Sequence, residues 1–241
     1  MNARLSVNIN KIATLRNARG HNTPDVIKAA LAIERFGAEG ITVHPRPDER
    51  HIKKADVYEL KKVITTELNV EGYPSEEFVA MMLQICPDQV TLVPDPPDVL
   101  TSNNGWDTIE YAGFLKDTIS QLKTKQLRVS LFMNPDTRQI EYAAKTGADR
   151  IELYTEAYAS NYAVNASSAI QPYIVAAQSA AANKLGINAG HDLSLENLKY
   201  FAEHIPDLLE VSIGHALISD ALYFGLDNTV KMYKRLLNNS L

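Results

Sequence analysis

The sequence predicts a (β/α)8 barrel, the TIM-barrel fold, formed by one domain over residues 1–241. Eight short runs rich in β-branched residues recur along the chain, and longer stretches with helical periodicity separate them. Alternating strands and helices imply a parallel sheet, and eight such units in a chain of this length fit a closed barrel of about 250 residues. A doubly wound open sheet is the alternative, but it usually has fewer strands and a glycine-rich first turn, which this chain lacks.

The predicted strands leave room for a helix after each one. In chain order they are Leu5–Ile9, Gly40–His44, Leu68–Glu71, Gln89–Val93, Arg128–Met133, Arg150–Tyr154, Gly186–Asn188 and Glu210–Ile213. Helical periodicity is clearest over Thr23–Phe36, Asp136–Thr146 and Leu193–His204, the last with Ser194 as its expected cap. Glycines at 37 and 147 stand where a helix ends just before a strand.

Two connections are longer than a minimal unit requires. Pro94–Trp106 is rich in proline and asparagine, and we expect this loop to close as a lid over bound substrate, with Trp106 as a fluorescent reporter. Thr155–Ala169 is rich in Ala, Ser, Asn and Tyr and precedes an alanine-rich helix at Tyr173–Lys184. No internal repeat, low-complexity tail or linker indicates a second domain.

Composition narrows the class of protein. Hydrophobic residues at 45% and charged residues at 22% are typical of a globular domain, and a net charge of −5 argues against a nucleic-acid-binding protein. No stretch approaches the roughly 20 apolar residues of a membrane span, and the N-terminus has no apolar signal core. The single cysteine, Cys86, excludes an internal disulfide and lies in an apolar run, so we expect it to pack in the core. We therefore expect a cytoplasmic protein that does not bind membranes.

Polar side chains of a catalytic kind recur at the carboxyl ends of the predicted strands or in the loops that follow them. They are His44, Arg46, His51, Glu71, Glu152, His191 and His215. In a barrel these strand ends meet at one rim, where the active sites of this fold lie. A single strand-end histidine is more often a structural residue, but repetition at several strands favours a site.

The same rim offers groups that bind anions. The first connection is dense in donors without a nearby carboxylate, which fits either a solvated loop or an anion site: Asn8, Asn10, Lys11, Arg16, Asn17 and Arg19. The turns Gly190-His191-Asp192 and Gly214-His215 follow strands seven and eight, the usual phosphate-binding position in barrels, made of backbone N–H groups and a helix N-terminus. Together with Arg19 and Arg46, this arrangement has room for two phosphates.

Three other functions compete with acid–base catalysis. A metal site is possible with four histidines near strand ends, but no His-x-His or His-x-x-x-His pair occurs, and Arg46 near His44 would repel a cation. A phosphosugar aldolase would need a Schiff-base lysine, for which only Lys11 is a candidate. A barrel that merely binds a metabolite would need the arginines and glycines but not Glu71. We therefore predict catalysis without a metal.

Several motifs resemble those of the PdxJ family of pyridoxine 5′-phosphate synthases, in the same order over nearly the whole chain. They are Val-Asn-Ile-Asn-Lys-Ile-Ala-Thr-Leu-Arg-Asn-Ala-Arg-Gly, Gly-Ile-Thr-Val-His-x-Arg, Asn-x-Glu, Val-Ser-Leu-Phe, Asn-Ala-Gly-His and Ile-Gly-His-Ala. The resemblance implies a (β/α)8 barrel with extra helices that assembles as a homo-octamer. It also implies condensation of 3-amino-2-oxopropyl phosphate with 1-deoxy-D-xylulose 5-phosphate to pyridoxine 5′-phosphate, phosphate and water in vitamin B6 biosynthesis, with no metal or organic cofactor.

The resemblance also assigns roles by position. His44 and Glu71 match proton acceptors, His191 matches a proton donor, and Glu152 matches a carboxylate that stabilises the transition state. The contacts to the amino-ketone phosphate fall on Asn8, Arg19, Gly214 and His215. The contacts to the deoxyxylulose phosphate fall on Arg46, His51 and Thr101.

The chain departs from the family pattern at three places. Asn10 and Lys11 replace an Asp-His pair, and we expect them still to contact the sugar phosphate, through a hydrogen bond and a positive charge respectively. Prolines flank Arg46 on both sides and stiffen that loop. Asp192 stands where glycine is usual, and because its carboxylate would repel a phosphate, we expect only its backbone N–H to face the substrate.

Overall fold

The computed structural model describes residues 3–95 and 104–238, and it contains a closed barrel of eight parallel strands. The strands are β1 Arg4–Asn8, β2 Gly40–Val43, β3 Glu67–Gly72, β4 Gln89–Leu92, β5 Arg128–Met133, β6 Arg150–Tyr154, β7 Gly186–Gly190 and β8 Leu208–Ile213. Each strand pairs with its neighbours in sequence, and β1 also pairs with β8, which closes the sheet. The barrel prediction is confirmed, and the open-sheet alternative is wrong.

Ten helices accompany the strands in the described part of the chain. They are α1 Asn10–Asn17, α2 Val26–Arg35, α3 Lys54–Val63, α4 Glu76–Ile85, α5 Ala112–Lys123, α6 Thr137–Lys145, α7 Glu156–Ala182, α8 Leu198–His204, α9 His215–Phe224 and α10 Leu226–Leu237. Side chains cap several of them: Asp25, Ser75 and Asp136 each accept a backbone N–H in the first turn. Gly37 and Gly147 both have positive φ, as expected for residues that end helices before a strand.

Two helices begin at residues other than those predicted from the sequence. α8 starts at Leu198 and not at Leu193, because the Asn197 side chain accepts the Ser194 N–H at 2.9 Å and holds a turn in front of the helix. α7 already begins at Glu156, so most of the predicted connection is helical. Asn165 has non-helical φ and ψ inside α7, and its side chain accepts the Ser168 N–H at 2.9 Å, so two helical segments meet at this residue.

The barrel interior is polar along its whole length. Side chains of strands that are not neighbours contact one another across it, as Asn188 Nδ2 does with Gln89 Oε1 at 3.5 Å and Arg4 Nη2 with Glu67 Oε2 at 2.9 Å. The apolar residues alternate with these and face the surrounding helices, where they form the buried core. Barrels of this class usually fill their interior with Val, Ile and Leu, so the polar interior is unusual for this fold.

Two further expectations concern packing and membranes. Cys86 ends α4 and packs against the hydrophobic core, with its Sγ donating to the Leu83 carbonyl at 3.3 Å, so the packing prediction is confirmed. Among the described residues, none of the helices combines the length and the hydropathy that crossing a lipid bilayer would require.

Candidate active site

The four predicted catalytic side chains lie together at the carboxyl rim of the barrel. Glu71 Oε2 at the end of β3 is 3.9 Å from Nδ1 of His44, which follows β2, and Asn8 Nδ2 at the end of β1 donates to the same oxygen at 3.4 Å. Glu152 on β6 lies close enough to Glu71 for the charge of Glu71 to raise the pKa of Glu152. His191, which follows β7, lowers the pKa of Glu152 through its charge. The sequence-based grouping of these residues therefore corresponds to their placement in space.

The two carboxyl groups are held mainly protonated near neutral pH. Burial raises the pKa of Glu71 to about 8, although the positive charge of Arg46 opposes the rise. Burial also raises the pKa of Glu152 to about 8, and the nearby Glu71 adds to the effect. Each is therefore a carboxylic acid that can release its proton once a positively charged group enters the site.

His44 is held in its neutral form. Burial lowers its pKa well below the ordinary value, and Arg46, His51 and Arg50 lower the pKa further by charge repulsion. Its backbone N–H donates to Asn10 Oδ1 at 3.0 Å, so the Asn10 side chain supports the loop that carries the imidazole. A neutral imidazole beside a protonated carboxyl can accept a proton, whereas the imidazolium could not.

One predicted anion-binding group consists of Arg46, His51 and Lys11. Arg46 is buried and its Nη2 lies 3.8 Å from Asp95 Oδ2. Burial and the charges of Arg46 and Lys11 lower the pKa of His51 to about 4. His51 Nδ1 accepts the Ile52 N–H at 2.9 Å, so its proton resides on Nε2, which can donate to an anion. Thr101, the third predicted contact to this phosphate, lies outside the described residues, as does most of the predicted lid.

Asp95 was not predicted as part of the site. It directly follows Val93-Pro94 at the end of β4, so the rule that rim residues follow strand ends would have included it, had that rule been extended to β4. Its carboxylate is buried beside Arg46 and partly neutralises the charge of the Arg46 guanidinium. Trp106 at the far end of the same connection is buried, and its Nε1 donates to the Leu92 carbonyl at 2.9 Å.

The second predicted anion-binding group lies at the start of α9. Gly214 is the N-cap of this helix and His215 is its first residue, so free backbone N–H groups point outwards beside an exposed imidazole. A Cβ at Gly214 would lie 3.0 Å from Asn8 Cβ and 3.2 Å from Asn8 O, which explains the glycine here. Arg19 is exposed just after α1, consistent with a residue that can still take an anion.

Two donors of the first connection have internal partners. Arg16 is buried, its Nη1 lies 2.7 Å from Asp56 Oδ1, and its Nη2 donates to the His51 carbonyl at 3.1 Å. Asn17 Nδ2 also donates to the His51 carbonyl, at 2.8 Å. Neither of the two interpretations left open for these donors, a solvated loop or an anion site, fits Arg16, because its partner Asp56 comes from a helix forty residues further along the chain. Arg16 and Asn17 instead fix the loop that carries His51.

The turn after β7 also differs from its prediction. The Asp192 N–H, expected to face a phosphate, donates to Thr155 Oγ1 at 3.1 Å. The Asp192 carboxylate contacts His191, with 2.7 Å between Oδ2 and Nδ1. Because α8 begins only at Leu198, no helix N-terminus directly follows this turn, so it does not form the expected phosphate cradle. Of the two predicted cradles, the one after β8 is the one directly followed by a helix N-terminus.

Within residues 3–95 and 104–238, the side chains of His, Cys, Asp and Glu form no group of three that could hold a metal ion. Catalysis without a metal stays a prediction. The rim instead combines proton-exchanging groups with basic groups, which defines a (β/α)8-barrel protein equipped for acid–base work on anionic small molecules.

Comparison with known proteins identifies the family. Residues 5–239 match the family described as "Pyridoxal phosphate biosynthesis protein PdxJ", and the chain belongs to this family. The proteins named pyridoxine 5′-phosphate synthase from Cytophaga hutchinsonii and Phocaeicola vulgatus are both 61% identical to it. The first alignment covers 96% of this chain and 98% of the relative, and the second covers 98% and 99%.

Solved structures support the fold alone. A tryptophan synthase structure from M. tuberculosis has a TM-score of 0.67 at 13% identity and covers 99% of this chain and 94% of its own. Phosphoribosylanthranilate isomerase from Thermotoga maritima has a TM-score of 0.59 at 14% identity, with 98% of both chains covered. At such low identity these structures indicate a shared barrel fold, and they carry no information about activity.

Proposed function

We propose that this protein is a pyridoxine 5′-phosphate synthase. It condenses 3-amino-2-oxopropyl phosphate with 1-deoxy-D-xylulose 5-phosphate and releases pyridoxine 5′-phosphate, phosphate and water. The observation that carries the proposal is the rim itself: neutral His44 and the protonated carboxyls of Glu71 and Glu152 lie among separate basic groups. Membership of the PdxJ family and relatives that carry this enzyme name point to the same reaction.

The proposed chemistry needs several proton transfers at fixed positions. The amine of one substrate attacks the ketone of the other, water leaves, phosphate is eliminated, and the ring closes and aromatises. Neutral His44 suits removal of a proton, and Glu71 becomes a carboxylate once a positively charged amine lies beside it. His191 donates a proton to a leaving oxygen, and Glu152 stabilises the charge that develops nearby. None of these steps transfers electrons to a partner, so no redox cofactor is required.

Two anchored phosphates hold the substrates in register. We assign the amino-ketone phosphate to Asn8, Arg19, Gly214 and His215, and the pentulose phosphate to Lys11, Arg46, His51 and Thr101. Fixing both reactants next to the proton-exchanging groups converts a bimolecular encounter into a step between neighbours. Binding energy from the phosphates is thereby available for orientation at the reacting carbons.

A phosphosugar aldolase or isomerase is the second candidate. A Schiff-base mechanism requires a lysine at the reacting carbon, usually on or near a strand end. None of the eight strands contains a lysine, and Lys11 lies exposed in the first turn of α1. The strand sequences therefore favour the synthase.

We further propose that the protein is a homo-octamer, a tetramer of dimers, that works in the cytoplasm without a nucleic-acid or membrane partner. Exposed apolar side chains at the end of α9 are candidate subunit contacts: Leu222, Tyr223 and Phe224. Sedimentation of the purified protein tests the assembly, and a monomer at working concentration would contradict it.

The reaction is tested by supplying the purified protein with both substrates together and then with each alone, in buffer that contains a metal chelator. Pyridoxine 5′-phosphate and inorganic phosphate are measured over time. We expect equal amounts of the two products only when both substrates are present, with no loss of rate from the chelator. Binding of either phosphate compound without any product would move the protein to another class of phosphosugar enzyme.

A further inference from the structure

His191 has an unusual backbone conformation that its surroundings impose. Its φ is 89°, in the region that glycine prefers, and such strain persists only where the surrounding contacts over-determine it. The His191 N–H donates to the Ser212 carbonyl at 3.3 Å. The buried hydroxyl of Thr155 donates to the Gly190 carbonyl at 2.7 Å and accepts the Asp192 N–H at 3.1 Å. These contacts fix the backbone on both sides of His191.

The imidazole of His191 is fixed as well. Asp192 Oδ2 lies 2.7 Å from its Nδ1, and the Tyr154 ring meets it edge-on with the ring centroids 5.2 Å apart. A carboxylate accepts hydrogen bonds and does not donate them, so the shared proton belongs to Nδ1. The Asp192 carbonyl in turn accepts Asn197 Nδ2 at 3.3 Å. Because Nδ1 is hydrogen-bonded to Asp192, Nε2 is the ring nitrogen that can exchange a proton with a substrate at the rim.

We propose that Asp192 is a positioning residue that fixes the tautomer and the ring orientation of His191. This inference rests on the proposed function, in which His191 donates a proton. The imidazolium gives the proton on Nε2 to the leaving oxygen, so the Nε2–H bond breaks and an O–H bond forms. The neutral ring that remains keeps its other proton on Nδ1, hydrogen-bonded to Asp192. The carboxylate thus contacts the histidine and not the phosphate.

His51 provides an internal contrast. Its Nδ1 accepts the Ile52 N–H at 2.9 Å, so the neutral ring carries its proton on Nε2. The two histidines are therefore opposite tautomers in one protein. Solid-state 15N NMR of protein labelled at its six histidines distinguishes protonated from unprotonated ring nitrogens, and a His191→Gln variant identifies the signals of His191.

The experiment compares the wild type with Asp192→Ala and Asp192→Asn, and uses Glu196→Ala as the matched control, because Glu196 is an exposed carboxylate in the same loop. We expect neutral His191 to be protonated on Nδ1 in the wild type and in Asp192→Asn, whose amide oxygen still accepts the proton, and to lose this preference in Asp192→Ala. We expect kcat of Asp192→Ala to fall about tenfold or more, with KM for both substrates within about twofold, because orientation of the proton donor is lost and binding is not. Glu196→Ala should behave as the wild type does.

Three results would overturn the proposal: Nε2 protonation of neutral His191 in the wild type, an unchanged tautomer in Asp192→Ala, or a higher KM with unaltered kcat. The last would return Asp192 to substrate binding. If the wild type forms no product from the two substrates, the proposed function fails, and the NMR comparison still decides whether Asp192 fixes the tautomer. If Asp192→Ala does not fold, Asp192→Asn decides, since a loss of Nδ1 protonation there contradicts the proposal.

Discussion

Glu71 has two physical roles that follow from one environment. Its carboxyl group is buried at the rim, 3.9 Å from the His44 imidazole. Burial raises its pKa to about 8, so it is mainly protonated below about pH 8. Burial makes the charged form costly and brings the pKa close to neutral pH, so the group can exchange a proton there. The same burial means that Glu71 lowers the free energy of unfolding in alkaline buffer, where it must carry a buried charge.

Replacing Glu71 by glutamine tests its role in the reaction. An amide of the same shape cannot exchange the proton, so we expect kcat to fall roughly 100-fold or more, with KM for both substrates within about threefold. Steady-state kinetics with both substrates measure this. Glu141→Gln on the exposed face of α6 is the matched control and should leave both constants unchanged. An unaltered kcat in Glu71→Gln would remove Glu71 from the mechanism.

The same variant has a predicted effect on stability that depends on pH. The wild-type carboxyl binds a proton in the folded state up to about pH 8, whereas the unfolded chain releases it near the ordinary pKa of 4.5. The wild type therefore loses stability relative to Glu71→Gln as pH rises between these two values and loses no more above about pH 8. Thermal melting should show the Tm difference widening from about pH 5 to about pH 8 and then levelling off. A difference that is constant over this range would mean that Glu71 is charged when folded.

Sequence alone predicted the rim residues His44, Glu71, Glu152 and His191, because residues at the carboxyl ends of parallel strands must meet in a closed barrel. It could not predict how their protons are held, since that depends on burial and on charges from other strands. Asp192 shows the same limit. Its partners are the neighbouring imidazole and Thr155, and only the backbone turn decides which of them the carboxylate and the N–H contact.

At the scale of elements, the β1–α1 segment combines a binding strand end with a structural helix. Asn8 at the end of β1 contacts Glu71, while Arg16 in α1 forms an ion pair with Asp56 in α3 and supports the His51 loop. Arg19 follows the helix and is exposed. We therefore expect two arginines three residues apart to have different functions.

Paired variants separate these two functions. Arg16→Ala leaves Asp56 as an uncompensated, largely buried charge, and we expect it to lower the free energy of unfolding by about 3 kcal/mol. Arg19→Ala should leave stability unchanged and raise KM for the amino-ketone substrate. Denaturant unfolding monitored by circular dichroism gives the first quantity, and steady-state kinetics give the second. Equal stability of both variants would contradict the structural role of Arg16.

The strands were easier to predict than the helices. Every strand was placed within a few residues of its true position, because β-branched runs bounded by glycine or polar turns are local signals. α8 and α7 were misplaced, because Asn197 holds a turn where a cap was expected and Asn165 joins two helical segments. Both effects depend on one side chain that selects a local hydrogen bond, and hydrophobic periodicity does not detect such a choice.

At the scale of the whole molecule, the barrel has arginines at both ends, but we expect anions to bind at the carboxyl end alone. Arg4 and Arg128 lie at the amino-terminal end of the barrel, and both form ion pairs with Glu67. Arg4 also lies 3.4 Å from Glu210. At the carboxyl rim, by contrast, Arg46 lies near the Asp95 carboxylate, Lys11 and Arg19 are exposed, and α9 begins there, so we expect phosphate to bind at this end.

We expect both substrates to meet at the carboxyl rim, and a crystal structure of Glu71→Gln with both substrates bound tests this most directly. We expect one phosphate at the N-terminus of α9 beside Gly214 and His215, and the other beside Arg46 and His51, with the reacting carbons between His44 and residue 71. Phosphate bound instead at the amino-terminal end near Arg4 and Arg128, or both substrates bound away from His44, would contradict the account.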